Sequence, residues 1–110
     1  MNTKKITGRS EFESTIKSGV CLIDFNASWC APCKAQGPII EKLAADFEGR
    51  AVLAEADVDE NRETAVEYGV QSIPTLVIYK DGKEIERFIG LQSENVLSEA
   101  LEKAGTHAVN

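Results

Sequence analysis

The feature that most restricts the fold of this chain is a short, almost entirely apolar segment at residues 20–25, whose single charged residue is Asp24. Such a segment is typical of a strand covered on both faces, as in a parallel sheet with helices on each side. Burying a carboxylate without a partner is strongly unfavourable. We therefore interpret Asp24 as a buried functional group with a raised pKa. The alternative is that Asp24 marks the edge of the strand and faces water.

The remaining sequence alternates between helix-like and strand-like patterns. Helices are predicted over residues 10–18, 30–47, 61–68 and 93–104, and further strands over 51–57, 75–79 and 84–89, with a short strand near the start. Asp81-Gly82 predicts a hairpin turn, and Ser10 with Glu13 suggests a capping box for the first helix. The early strand–helix–strand order favours a parallel sheet with helices on both faces, and the hairpin adds an antiparallel edge. The predicted class is α/β, with a mixed central sheet of about five strands flanked by about four helices.

Length and charge narrow the possible functions. A chain of 110 residues fits one domain over residues 1–110, with 105–110 as a loose tail. The net charge of −6 argues against nucleic acid as a partner, because phosphate binding needs clustered Lys and Arg. No apolar run approaches the ~20 residues of a membrane span, and no secretory signal is visible. We expect a cytoplasmic monomer that does not bind membranes.

Two of the three cysteines, Cys30 and Cys33, lie at the predicted start of the long helix. Free N–H groups and the helix dipole stabilise an anion there, which favours the thiolate of Cys30. The spacing puts Cys33 one turn further along on the same side, so the two sulfurs can bond to each other. The expected reaction is attack of Cys30 on a substrate disulfide, followed by attack of Cys33 on the mixed disulfide.

A Cys-x-x-Cys pair is also half of a zinc site, which needs four ligands. The only other cysteine is Cys21, inside a predicted strand, and the only histidine is His107, in the predicted tail. We therefore expect no metal. Cys21 is interpreted as a small buried core residue, with a regulatory thiol as the alternative.

Four features follow one another along the chain: the segment at residues 24–34 that contains Trp29-Cys30-Ala31-Pro32-Cys33-Lys34, then Pro38, then the loop at residues 68–75 that contains Pro74, and finally Gly90. In this order they resemble the active-site segment, the helix-kinking proline, the cis-proline loop and the substrate-face glycine of the thioredoxin family, and the resemblance extends over residues 4–104. The resemblance implies the thioredoxin fold and the reduction of disulfides in other proteins.

The resemblance also implies roles for individual residues and partners. The substrate-binding residues are Trp29, Ala31, Pro32, Ile73, Pro74 and Gly90, with a cis bond between Ile73 and Pro74. No cofactor is bound, because the two sulfurs carry the electrons. The oxidised form is recharged from NADPH by a flavin-containing thioredoxin reductase, and the other partners are proteins that contain a disulfide.

Asp24 is expected behind the redox pair, where it can take the proton of Cys33 directly or through one water. Glu55, if it lies nearby, raises the apparent pKa of the two carboxylates further. Three departures from the family pattern bear on the tuning of Cys33: Asn26 where Trp is common, Ala31 where Gly is common, and Glu55 where many bacterial members have Lys.

The dipeptide between the cysteines bears on the direction of the reaction. Family members that act as oxidants or isomerases often carry His there, whereas Ala31-Pro32 supplies no cation. We therefore expect a comparatively stable disulfide and a dithiol that works as a reductant, rather than an oxidase or isomerase. The alternative from a different class is a binding module in a larger complex, for which the redox pair would be dispensable.

Overall fold

The structure is a computed structural model that describes residues 3–107. The strands of this described part are β1 (Lys4–Lys5), β2 (Val20–Asn26), β3 (Ala51–Asp57), β4 (Thr75–Lys80) and β5 (Lys83–Ile89). Its helices are α1 (Arg9–Ile16), α2 (Ala31–Asp46), α3 (Arg62–Glu67) and α4 (Glu94–Gly105). The strands form one sheet in the order β1-β3-β2-β4-β5. β1 and β2 are parallel to β3, whereas β4 is antiparallel to β2 and to β5. The predicted class, element order and mixed sheet are confirmed.

β2 lies at the centre of the sheet and is buried on both faces, as its apolar sequence predicts. Alternate residues of a strand point to opposite faces. Val20 and Leu22 pack in a core with side chains of α2 and α4. Cys21, Ile23 and Phe25 pack in a second core with side chains of α1. The C-terminal end of β2 leads directly into α2, so this end of the sheet holds the cysteine pair.

The hairpin between β4 and β5 turns at Asp81 and Gly82, as predicted from this dipeptide. Both residues have positive φ, 51° and 86°, which is the conformation that a tight two-residue hairpin requires. Asp81 also accepts a hydrogen bond from the Gly19 N–H at 2.8 Å through its Oδ1 atom. This contact fixes the turn to the segment that precedes β2.

The predicted capping box of the first helix is wrong. The helix begins at Arg9, one residue before Ser10, after an N-cap glycine that offers no side-chain oxygen. Glu11 instead accepts a hydrogen bond from the Thr7 N–H at 2.6 Å. Glu13 points outward and pairs with Arg9 at 3.2 Å. The glycine starts the helix early, so Ser10 lies inside the first turn and cannot cap it.

Residues 105–107, the first part of the predicted tail, are held at the end of the last helix. Gly105 is the final residue of α4, and the Thr106 and His107 N–H groups donate to the carbonyls of Lys103 and Ala104 at 3.1 Å. The remainder of the predicted tail, residues 108–110, lies outside the described residues. Across residues 3–107, each helix is too short or too polar to cross a membrane.

Candidate functional site

The two cysteines occupy the start of α2 and are joined by a disulfide in this structure. Cys30 is the N-cap residue, with an extended backbone at φ −97° and ψ 113°, and Cys33 lies in the first turn. Their Cα atoms are 5.2 Å apart. The Cys33 N–H donates to the Cys30 Sγ at 3.3 Å. A free N–H at a helix start is therefore directed at the sulfur for which a thiolate is expected.

The burial of the two sulfur-bearing residues does not distinguish them. Cys30 is 6% exposed and Cys33 is 5% exposed, so the N-cap position does not make Cys30 clearly more exposed than Cys33 in the disulfide form. Ala27, Val58 and Ile73 surround the pair and cover it. Ala31 and Pro32, between the cysteines, are exposed and bring no charge. Position on the helix, and not exposure, is what separates the two thiols.

Asp24 is buried, with 1% of its surface exposed, in the middle of β2. It shares a face with Leu22, which packs against α2. Because α2 starts just beyond β2 and packs over this face, Asp24 lies on the side of the sheet that is covered by the helix carrying the cysteines. The alternative that Asp24 faces water at the edge of the strand is wrong.

The surroundings of Asp24 raise the pKa of its carboxyl group. Its Oδ2 accepts a long hydrogen bond from Asn26 Nδ2 at 3.5 Å, and its Oδ1 has no partner within residues 3–107. Glu55 lies beside it in the register of β2 and β3. Burial first, and the Glu55 carboxylate second, raise the pKa of Asp24 to about 7, while Asn26 opposes the shift. A carboxyl with this pKa can accept or release a proton near neutral pH.

Trp29 is 68% exposed and lies directly before the redox pair. Its indole Nε1 donates to Asp59 Oδ2 at 2.9 Å. Asp59 is held by its own backbone, because its N–H donates to Asp57 Oδ1 at 2.8 Å. Sequence reasoning missed Asp59. The available signal was that Asp59 comes two residues after the end of β3, which is parallel to β2, and so lies at the same edge of the sheet.

The Ile73–Pro74 loop lies against the cysteine pair, and its peptide bond is cis, as predicted. Ile73 packs against the pair, and Pro74 is buried. The Gly90 N–H donates to the Pro74 carbonyl at 2.8 Å, which brings the glycine expected on the substrate face to this loop. Gly90 has φ 94°, a conformation that favours glycine. An open, mainly apolar depression beside these residues is lined by Trp29, Val58, Ala65, Val70, Gln71, Ser72 and Ile73.

Cys21 is fully buried on the opposite face of β2 from Asp24. Burial raises the pKa of its thiol to about 12. Cys21 packs with side chains of α1, whereas Cys30 and Cys33 pack with Ala27, Val58 and Ile73. No group of three or more potential metal ligands occurs within residues 3–107.

The sequence of the whole chain was also compared with those of known proteins. The sequence profile of the family Thioredoxin matches residues 3–103. A curated thioredoxin of Staphylococcus aureus is 49% identical over 94 residues, which are 86% of this chain and 90% of that protein.

Solved structures show the same similarity at the level of the backbone. A mutant thioredoxin from Halobacterium salinarum NRC-1 superposes with a TM-score of 0.89 at 37% identity, over 99% of this chain and 96% of that one. A thioredoxin of Malassezia sympodialis superposes with a TM-score of 0.84 at 31% identity, over 94% of this chain and 90% of that one.

Proposed function

Because the chain belongs to the thioredoxin family, and is therefore a thiol–disulfide oxidoreductase, we propose that it is a general reductant of protein disulfides in the cytoplasm. The observation that carries this direction is the content of the active-site turn. Ala31 and Pro32 are exposed and uncharged, so nothing between the cysteines stabilises the thiolate of the reduced form. The disulfide is then comparatively stable, and the dithiol gives up its electrons readily.

In the proposed mechanism, the Cys30 thiolate attacks one sulfur of a substrate disulfide. A bond forms between Cys30 Sγ and that sulfur, and the other substrate sulfur leaves as a thiolate. The N-cap position supports this role, since the Cys33 N–H is directed at Cys30 Sγ. The mixed disulfide between Cys30 and the attacked substrate sulfur must still be broken before the substrate is released.

Cys33 completes the reaction. Asp24 takes the proton of Cys33, either directly or through one water, and the Cys33 thiolate attacks Cys30 Sγ. The Cys30–Cys33 disulfide forms, the mixed disulfide breaks, and the reduced substrate leaves. The burial of Asp24 on the face of β2 that packs against α2, together with its pKa of about 7, supports the proton transfer.

Substrate binding is assigned to the surface around the pair, formed by Trp29, Ala31, Pro32, Ile73, Pro74 and Gly90. Trp29 supplies an exposed flat ring held by Asp59. The apolar depression beside it suits an extended, partly apolar segment of a protein substrate. We further propose that the protein works as a monomer and that a flavin-containing, NADPH-dependent thioredoxin reductase returns it to the dithiol.

Two measurements test the proposal. The reduction potential is expected at about −270 mV. A value of about −180 mV, as for protein disulfide isomerase, would contradict the proposal that the protein acts as a reductant. NADPH oxidation is then followed with a bacterial thioredoxin reductase and insulin as the protein disulfide. Turnover that requires both proteins is expected, and its absence with several such reductases would refute the assigned electron donor.

The assignment of the two cysteines has its own experiment. A Cys33→Ser variant is expected to accumulate mixed disulfides on Cys30, and reduced wild-type protein is expected to be alkylated first at Cys30. The matched Cys30→Ser variant should trap little. Preferential alkylation at Cys33 would reverse the roles of attacking and resolving thiol.

A further inference from the structure

Gln36 is a polar residue that the mechanism above does not use, although it lies three residues after Cys33 on α2. It is fully buried. Its Nε2 donates to the Gln92 carbonyl at 3.1 Å, and its Oε1 accepts from the Gln92 N–H at 2.8 Å. The side-chain amide thus pairs with both backbone groups of one residue, as a neighbouring strand would.

Gln92 belongs to the segment that links β5 to α4, and this segment continues the contact towards the redox pair. Gln92 Nε2 donates to the Gly90 carbonyl at 3.3 Å. The Gly90 N–H in turn donates to the Pro74 carbonyl at 2.8 Å. Ile73, the neighbour of Pro74, packs against the cysteines. A continuous chain of hydrogen bonds therefore runs from the helix that carries the cysteines to the loop on the other side of the pair.

The segment held in this way is exposed and apolar on its outer side. Ile89 and Leu91 flank Gly90 and are 68% and 50% exposed. Ile89 is paired with Thr75, the residue after Pro74. The Gln92 backbone belongs neither to β5 nor to α4, so without Gln36 its polar groups would lose the partners that hold them in place. An apolar side chain at position 36 would fill the space and leave the segment free to move.

We propose that Gln36 is a positioning residue for the reduction of protein disulfides. Through Gln92 it fixes the segment 89–91 relative to α2, and so sets the width of the surface across which a protein substrate lies. Gln36 touches neither the substrate nor the sulfurs. Its effect is therefore on the binding of protein substrates and not on the chemistry of the pair. The inference rests on the proposed function, in that protein disulfides are the substrates.

The test compares two substrates in the variant Gln36→Met, which keeps the length of the side chain but removes both hydrogen bonds. Insulin is the protein disulfide, and 5,5′-dithiobis(2-nitrobenzoic acid) is a small disulfide that does not span the surface. We expect the KM for insulin to rise about two- to tenfold with little change in kcat, which is the loss expected for one or two neutral hydrogen bonds. The rate with the small disulfide should be unchanged.

A matched control separates positioning from general loss of stability. Leu101 is buried near the C-terminal end of α4, on the turn that precedes the carbonyls bound by Lys80. Leu101→Val should lower the urea midpoint without changing either KM. Equal loss on both substrates in Gln36→Met, or no change on either, overturns the proposal.

A second variant covers the case in which Gln36→Met does not fold. Gln92 is half-buried, and Gln92→Ala keeps the backbone groups that Gln36 holds while removing the bond to Gly90. A smaller rise in the insulin KM is expected, and an unchanged KM breaks the proposed chain of contacts at that link. If wild-type protein itself fails to reduce insulin while reducing the small disulfide, the proposed function fails, which is a different result from an unchanged variant.

Discussion

Strand β2 buries an ionisable side chain on each of its two faces, Cys21 on the face of α1 and Asp24 on the face of α2. Both are almost inaccessible to water, and burial is the main cause of the raised pKa of each. The outcome differs. The thiol of Cys21, with a pKa of about 12, stays protonated at any physiological pH, whereas the carboxyl of Asp24, with a pKa of about 7, can exchange its proton there.

The difference shows that burial alone does not create a reactive group. Burial moves the pKa of a thiol away from neutrality and that of a carboxyl towards it. The position of each group in the fold accounts for the remaining difference. Asp24 lies on the face of β2 that packs against α2, the helix that carries the redox pair, whereas Cys21 lies among apolar side chains on the other face. The predictions below test this contrast between the two faces.

The largest expected effect distinguishes Cys30, at the start of α2, from Cys21, on the face of β2 that packs against α1. Cys30→Ser should lower insulin reduction by about a thousandfold or more, because the attacking sulfur is lost. Cys21→Ala should leave turnover within about twofold of wild type and cost about 1 kcal/mol of stability through a small cavity. Turnover and urea unfolding of both variants are measured together. A large loss of turnover in Cys21→Ala would give the opposite face a role in the reaction.

Asp24→Asn should make the protein more stable and slower. The unfolded state ionises Asp24 near pH 4, whereas the folded state keeps its proton up to about pH 7. Wild-type stability therefore falls as pH rises from about 4 to 7 and is level above that. A shift of this size corresponds to at most about 4 kcal/mol, which the variant regains in full only above pH 7.

The same variant should release the mixed disulfide about a hundredfold more slowly at neutral pH, because the proton acceptor for Cys33 is gone. Urea unfolding at pH 4.5 and pH 8 and single-turnover release at pH 7 check the two effects. The stability difference between variant and wild type should grow with pH. A variant that is less stable at pH 8 and turns over normally would make Asp24 a structural residue.

A smaller effect is expected from a substitution of Tyr79. This residue pairs with Cys21 between β2 and β4 and lies in the same core, on the face away from Asp24. Its hydroxyl is buried and has no hydrogen-bond partner within residues 3–107. Tyr79→Phe should therefore raise stability by about 1 kcal/mol. Unlike Asp24→Asn, it should leave turnover unchanged, as thermal unfolding and insulin reduction on the same sample would show. A loss of turnover would mean that removal of any buried polar group slows the reaction.

The sequence predicted the local features of the site, whereas contacts between distant parts of the chain were not predicted. The apolar pattern of β2 predicted a central strand with Asp24 inside it, and the Cys-x-x-Cys spacing predicted the pair at the start of α2. Asp59 and Gln36 were not predicted, because their partners, Trp29 and Gln92, are 30 and 56 residues away in the chain. The burial of Cys30 was also missed, since Val58 and Ile73 reach it from other parts of the chain.

The smallest expected effect concerns Glu55, the second cause of the raised pKa of Asp24. Glu55 lies beside Asp24 in the β2–β3 register and is half-buried, so water screens the repulsion between the two carboxylates only in part. Glu55→Gln removes this repulsion, which lowers the pKa of Asp24. The midpoint of the pH profile for mixed-disulfide release should therefore move down by about half a unit to one unit.

Salt and a charge-matched variant make this last prediction specific. Raising the salt from 0.05 to 0.5 M, a range chosen to shorten the Debye length from roughly 14 Å to about 4 Å, should shift the wild-type midpoint in the same direction and have less effect on Glu55→Gln. Glu86→Gln makes the same change of charge at an exposed position on the edge strand β5 and should leave the midpoint in place. An identical shift in both variants would trace the effect to net charge. No shift in Glu55→Gln would leave burial as the whole cause of the pKa of Asp24, and the two faces of β2 would then differ only in the kind of group that each one buries.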